Sequence, residues 1–337
     1  MVTTICMIVL VLVMAGTLII GCKKGDEKTF FDKDNTGVMR GLFSIVILLV
    51  HVPTQYQNTI QDMIGSFAYV GVSFFFMTSA YGLMLGFLKN PDSLKHFFRK
   101  RLIKLLIPMV LVNILFFGSA FLVLKEFHFD ILFNVNKWIL QLLFFYIIYF
   151  VTFRFVKKSI KVKTIIVSTA VVAFSFLAYF FYEYMPFSWA SESFGFIYGL
   201  ILAQYKSVFF SFSQKKWFLK TALVGAMSMV FGVLYLKFKY AIFVGDYIVK
   251  IMLCLFITLL ILLINTKISL SNFAGRFLSG VSYEIYLVHT HVFMILSTLF
   301  AHMSSGTFII LSIVISLLSA KIVNMLSVLI QSKIKSN

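Results

Sequence analysis

The sequence predicts an all-α fold, a polytopic integral membrane bundle of about eleven transmembrane helices. Three observations carry the prediction. Apolar residues make up 61% of the 337 residues and charged residues 12%, roughly half the charged share of a soluble chain. The apolar residues fall in runs close to the ~20 needed to cross a bilayer. The basic residues sit in short stretches between those runs and favour alternate stretches.

Taken in order, the first helix is expected over 2–21 and the second over 38–54, with Arg40 and His51 inside it. The third, 66–88, is rich in Phe, and the fourth, 103–124, follows a basic cluster. The fifth, 137–153, opens on Trp138, and the sixth covers 164–182. The seventh, 188–204, is the weakest pattern, because Ser191, Glu192 and Ser193 occupy its first turn. The eighth and ninth cover 219–236 and 246–265; the tenth, 279–300, carries His289 and His291; the eleventh covers 307–331. No internal repeat is evident, and no stretch of these residues is left over for a soluble domain.

The loops check this count independently. Numbered alternately, one side holds 23 Lys and Arg and the other four, with Arg40, Lys250 and Lys321 inside helices. Basic loops stay in the cytoplasm, so an odd number of crossings puts the N-terminus outside and the C-terminus inside. Ile19-Ile20-Gly21-Cys22 has the form of a lipoprotein cleavage box. Residues 1–18 contain no Lys or Arg, however, and a signal peptide needs a basic start. Cleavage would also invert the charge alternation, so the segment reads as a retained helix.

The net charge of +18 would suggest a nucleic-acid partner in a soluble protein. Here the charges orient helices and meet anionic headgroups, and no nucleic-acid partner is expected. Cys6, Cys22 and Cys254 lie in or beside apolar runs without the paired spacing of a metal site or a disulfide framework. The bias toward Lys, Ile and Phe points to an AT-rich bacterial genome.

Ionisable residues within a span are costly and mark function. Arg40 and His51 are eleven residues apart, which on a helix is about three turns plus 20° and ~16 Å of rise. They therefore share a helix face, Arg40 toward the basic mouth and His51 toward the other end. The plain alternative is a snorkelling Arg and an unrelated His. A basic cluster, Phe97-Phe98-Arg99-Lys100-Arg101-Leu102-Ile103-Lys104, lies on the same side as Arg40. It could grip phosphates or simply anchor the topology.

These residues resemble the acyltransferase-3 family of membrane acyltransferases. The Arg-x10-His spacing at 40–51 is similar to the motif that opens that family. In order, four further stretches resemble it: Gly71 to Tyr81, rich in Phe; Phe98 to Pro108; Trp138 to Tyr146; and Val281 to His289, which contains Ser-Tyr-x-Ile-Tyr-Leu-x-His. The resemblance runs over roughly 38–330. It divides the chain into an extra N-terminal helix (1–22), a cytoplasmic loop (23–37), an acyltransferase-like membrane domain (38–331) and a tail (332–337). Two positions depart from the family. Its Ser-Gly reads Ser79-Ala80, and its Arg-x-x-Arg reads Arg101-Leu-Ile-Lys104, which keeps the charge but loses a guanidinium fork.

The resemblance implies transfer of an acyl group, usually acetyl, from cytosolic acetyl-CoA or another acyl-CoA. The acceptor would be a hydroxyl of a cell-surface glycan or its lipid-linked precursor. Arg40, Arg99, Arg101 and Lys104 would bind the donor, and no metal is called for. His51 would be the general base, since a neutral imidazole near pH 7 can take a hydroxyl proton. Ser79, Tyr81, Tyr286, His289 and Glu192 are candidates for oxyanion or acceptor contacts. His289 and His291 point about 160° apart on a helix, so only one can face the interior. Glu284, Asp246 and Lys250 are polar groups within the bundle without an assigned role. A lipid-linked glycan transporter or flippase is the main rival, but inverted repeats and broken helices are not evident. A polysaccharide polymerase would favour longer external loops, and a sensory membrane domain is the third rival.

Overall fold

A computed structural model describes residues 2–181, 188–270 and 272–336. Eleven long helices form, as the apolar runs predict. They are α1 (Val2–Ile19), α2 (Lys33–Val50), α4 (Ala68–Lys89), α5 (Phe97–Leu124), α6 (Lys137–Phe155), α7 (Ile160–Phe180), α9 (Phe194–Gln214), α10 (Trp217–Phe238), α11 (Lys250–Asn265), α12 (Phe273–Leu299) and α13 (Ser305–Ser336). Two short helices, α3 (Thr59–Gly65) and α8 (Ser188–Glu192), lie between them, and the two-residue strands β1 (Lys23–Lys24) and β2 (Ile268–Ser269) pair antiparallel.

By length and composition alone, seven described helical segments are long and apolar enough to cross a membrane, and α1 is slightly short. The others, α2, α9 and α12, carry polar residues that they bury against the rest of the bundle. Many helices are apolar all round, as expected where one side meets lipid and the other a protein core. At the periphery, α10 has Tyr235 as its one buried residue among those described.

Several boundaries move, each for a local reason. The second helix starts at Lys33, not 38, because Asp32 caps it: the Asp32 carboxylate accepts the Asn35 N–H at 2.8 Å. It stops at Val50, with Pro53 close behind. The fourth begins at Phe97, so Arg99 to Lys104 lie in its opening turns and not in a loop; Pro108 is accommodated inside it. The seventh separates into α8 and α9 at Ser193. Gln141 of α6 reaches into that break and donates to the Trp189 carbonyl at 3.1 Å and the Ser193 hydroxyl at 3.0 Å. These bonds satisfy polar groups that lipid could not. The expected end of the sixth helix at 182 lies outside the described residues.

The interior is built on two tightly packed parallel pairs, α2 with α12 and α4 with α9. In each, glycines at i and i+4 allow the close approach. Gly37 and Gly41 lie against Ser279 and Leu278, and Gly195 and Gly199 against the Ser73 and Met77 carbonyls. In lipid, where apolar surface alone does not drive helices together, such small-residue contacts hold pairs by van der Waals fit. Ala80 also meets Gly199, so the glycine missing from Ser79-Ala80 is supplied by the facing helix.

Residues 23–32 connect α1 to α2, and Lys23–Lys24 in this segment pairs with Ile268–Ser269. Asp26 turns this segment by accepting the Thr29 N–H (2.8 Å) and hydroxyl (2.9 Å), which holds its carboxyl below the usual range. Phe30 and Phe31 are buried beneath it. Phe31 sits at φ 51°, its N–H bonded to the Asn265 side chain at 2.7 Å and its ring 4.8 Å from that of Tyr81.

Candidate active site

Close packing of α2 on α12 sets the register of their polar residues. Val38 meets Gly275, Gly41 meets Leu278, and one imidazole meets another where α2 ends. His51 Nδ1 lies 2.8 Å from the Ile47 carbonyl and 3.3 Å from His289 Nε2. His289 Nδ1 in turn lies 3.2 Å from the Ile285 carbonyl. His51 is exposed to the adjoining cavity, whereas His289 is 2% exposed and sits behind it. His291, on the other side of α12, stacks on Phe116 at 4.5 Å.

The cavity in front of His51 measures about 720 Å³. Its wall includes Tyr69, Trp138, Trp189 and Tyr286, with Lys137, Glu192 and Lys250 as its charged residues. They come from α4, α6, α8, α11 and α12, so the cavity belongs to the bundle and not to any one helix. Tyr286 is oriented by donating to Asn136 Oδ1 at 3.1 Å, and the same oxygen caps α6 through the Trp138 N–H at 3.0 Å. Glu192 is only 7% exposed, and it and Lys250 act on each other electrostatically. Lys250 Nζ lies 4.7 Å from the centre of the Tyr69 ring. The arrangement offers flat aromatic faces and a few directed polar groups around a histidine, as small-molecule sites do.

Toward the basic end a second, smaller pocket of about 150 Å³ is lined by Lys100, Arg101 and Lys104 of α5, with Ser93 and Tyr149. Arg99 is exposed and does not line it. Ser79 interacts with the Tyr146 hydroxyl, near Arg101, and so belongs to this side of the bundle. Tyr81 points away from both spaces: it packs on Phe31, and its hydroxyl has no partner. Arg40 is half-buried, its Nε unpartnered, and Glu284 of α12 is the opposite charge acting on it. Glu284 accepts from Asn324 of α13 at 3.0 Å. Arg40 and His51 therefore both face α12.

A family model described as an acyltransferase domain matches residues 35–325. The chain belongs to the acyltransferase-3 family. No curated protein and no solved structure matches it. As a membrane acyltransferase it needs an acyl donor and an acceptor. Among its described residues no three His, Cys, Asp or Glu side chains gather as a metal site would require.

Of the residues singled out in the sequence, His51, Tyr286 and Glu192 come together at the cavity of this acyltransferase, with His289 behind His51. Arg101 and Lys104 meet at the basic pocket, while Arg99 and Tyr81 join neither group. Sequence reading missed Trp189 and the placing of Lys250 with Glu192 on one cavity wall. Lys250 carried a signal, as an ammonium inside an apolar run. The spacings Gly37-x3-Gly41 and Gly195-x3-Gly199 were also visible as close-packing motifs.

Proposed function

We propose that this acyltransferase moves an acyl group, acetyl in its usual form, from cytosolic acyl-CoA to a hydroxyl of a cell-surface glycan or its lipid-linked precursor. The observation that carries the reading is that one bundle holds a basic pocket toward one end and a His51-bearing, aromatic-walled cavity toward the other. Guanidinium and ammonium groups pair with phosphate oxygens, so Arg101, Lys104 and Lys100 would hold the nucleotide end of the donor. Arg40, ~16 Å from His51 along α2 by helix rise, lies on the way inward. Flat aromatic faces with Glu192 and Asn136 between them suit a sugar ring and its hydroxyls.

The reaction balances within these groups. His51 takes the proton of the acceptor hydroxyl as its oxygen attacks the thioester carbon; the C–S bond breaks, and the coenzyme A thiolate leaves and recovers the proton from His51. Such a base contributes about 10²–10⁴-fold. The excess of Lys and Arg in alternate loops supports a donor side in the cytoplasm of a cell inner or plasma membrane, with the N-terminus outside.

The test is acyl-CoA binding and thioester turnover by the purified chain in nanodiscs, comparing wild type with His51→Ala and Arg40→Ala. His51→Ala should keep binding and lose turnover; Arg40→Ala should weaken binding. Absence of binding by wild type to every acyl-CoA tried would defeat the reading and favour a glycan transporter on this scaffold.

A further inference from the structure

The proposed chemistry employs one imidazole, and the chain buries a second against it. Two backbone carbonyls settle where the protons are. Ile47 O faces His51 Nδ1 at 2.8 Å, and Ile285 O faces His289 Nδ1 at 3.2 Å. A carbonyl only accepts, so each Nδ1 carries hydrogen, the tautomer being assigned from the network. Both rings follow the same local device, a bond to the carbonyl four residues back on the helix.

The remaining contact then has one consistent sense. His51 Nδ1–H lies 3.3 Å from His289 Nε2, so it is shared between the Ile47 carbonyl and the His289 lone pair. Were His289 doubly protonated, two N–H groups would face each other. The His51 nitrogen left without a partner is Nε2, on the ring that borders the cavity.

We infer that His289 is a positioning residue for acyl transfer: its Nε2 accepts the Nδ1–H of His51 and holds His51 with Nε2 free to take the acceptor's proton. The inference rests on the reading of His51 as general base. As the proton arrives at Nε2, positive charge spreads to Nδ1–H, and the acceptor behind it stabilises the imidazolium. In hydrolases a carboxylate does this work. A carboxylate in a dry position 2% exposed would cost more than a neutral ring. The Tyr286 and Phe293 rings, each 5.9 Å from His289, complete its enclosure.

The experiment measures kcat and KM for acyl-CoA with wild type, His51→Ala, His289→Leu and His289→Gln in nanodiscs. Leu removes the acceptor, whereas the Gln side-chain carbonyl can replace it. His289→Leu should lower kcat about 10- to 100-fold, less than loss of the base itself, and leave KM for acyl-CoA unchanged. His289→Gln should recover most of that loss, which a purely structural role would not allow. If the Leu variant fails to fold, His289→Met takes its place against Gln. Wild-type kcat in the Leu or Met variant overturns the inference, as does a Gln variant that falls equally far or a loss confined to KM. Inactive His51→Ala beside fully active His289→Leu removes the His289 role alone; active His51→Ala removes the base and its partner together.

Discussion

Gly41 of α2 lies directly against Leu278 of α12, with no room between the two helices for a β-carbon. That contact, one turn beyond Gly37 against Ser279, holds the α2–α12 register that brings His51 to His289. Packing in the lower half of the pair thus sets the chemistry at its upper end.

Gly41→Ala should therefore destabilise the protein by about 1–3 kcal/mol, the usual cost of forcing extra volume into a packed interior. Gly82→Ala is the control. A β-carbon there meets nothing within 4 Å, so the change should be neutral or stabilising by up to ~1 kcal/mol through helix propensity. Thermal unfolding in nanodiscs reads both. Equal behaviour of the two variants would refute the packing account.

At the basic pocket, Arg101→Ala should raise KM for acyl-CoA about 10-fold or more, the range of one charged hydrogen bond. Arg101→Lys should fall between, because a point charge keeps attraction but loses the planar fork. Donor binding should also weaken as salt rises. Arg99→Ala, at an exposed position outside the pocket, should have the smaller effect; the reverse ranking would place the phosphates elsewhere.

In the cavity, Trp189→Ala should raise KM for a glycan acceptor about 3- to 10-fold through loss of an aromatic face. Thioester hydrolysis without acceptor should be unaffected, since the proposed donor pocket is lined by other residues. Steady-state kinetics with and without acceptor separates the two. A matched fall in both would mean that Trp189 only supports the fold.

Orientation is open to a labelling test. In a cysteine-free background, Phe127→Cys, at an exposed position between α5 and α6, should react with an impermeant maleimide in intact cells. Lys157→Cys, between α6 and α7, should react only after permeabilisation. The opposite pattern would turn the His51 cavity toward the cytosol and reverse the proposed access of donor and acceptor.

The eleven helices were legible because hydrocarbon forces every spanning segment to be long, apolar and internally hydrogen-bonded. Boundaries were less so where a capping or inserted side chain decides them. Asp32 extends α2 backward by capping it, and Gln141, 48 and 52 residues from its partners, divides α8 from α9. The Arg40–His51 spacing and the basic run before Pro108 were visible because each lies within one helix, where 3.6 residues per turn converts spacing into direction.

What the sequence by itself determined is which segments form the long helices, which end of the bundle is basic, and which ionisable residues lie inside. Only the tertiary structure decided which of those residues meet. It set His289 behind His51 and put Glu192 and Lys250 on one cavity wall, and it turned Tyr81 away to Phe31. The reason is physical: a helix apolar on every side carries no stripe to say which face is inward. The facing is chosen by close van der Waals fit between helices distant in sequence, here at Gly37, Gly41, Gly195 and Gly199.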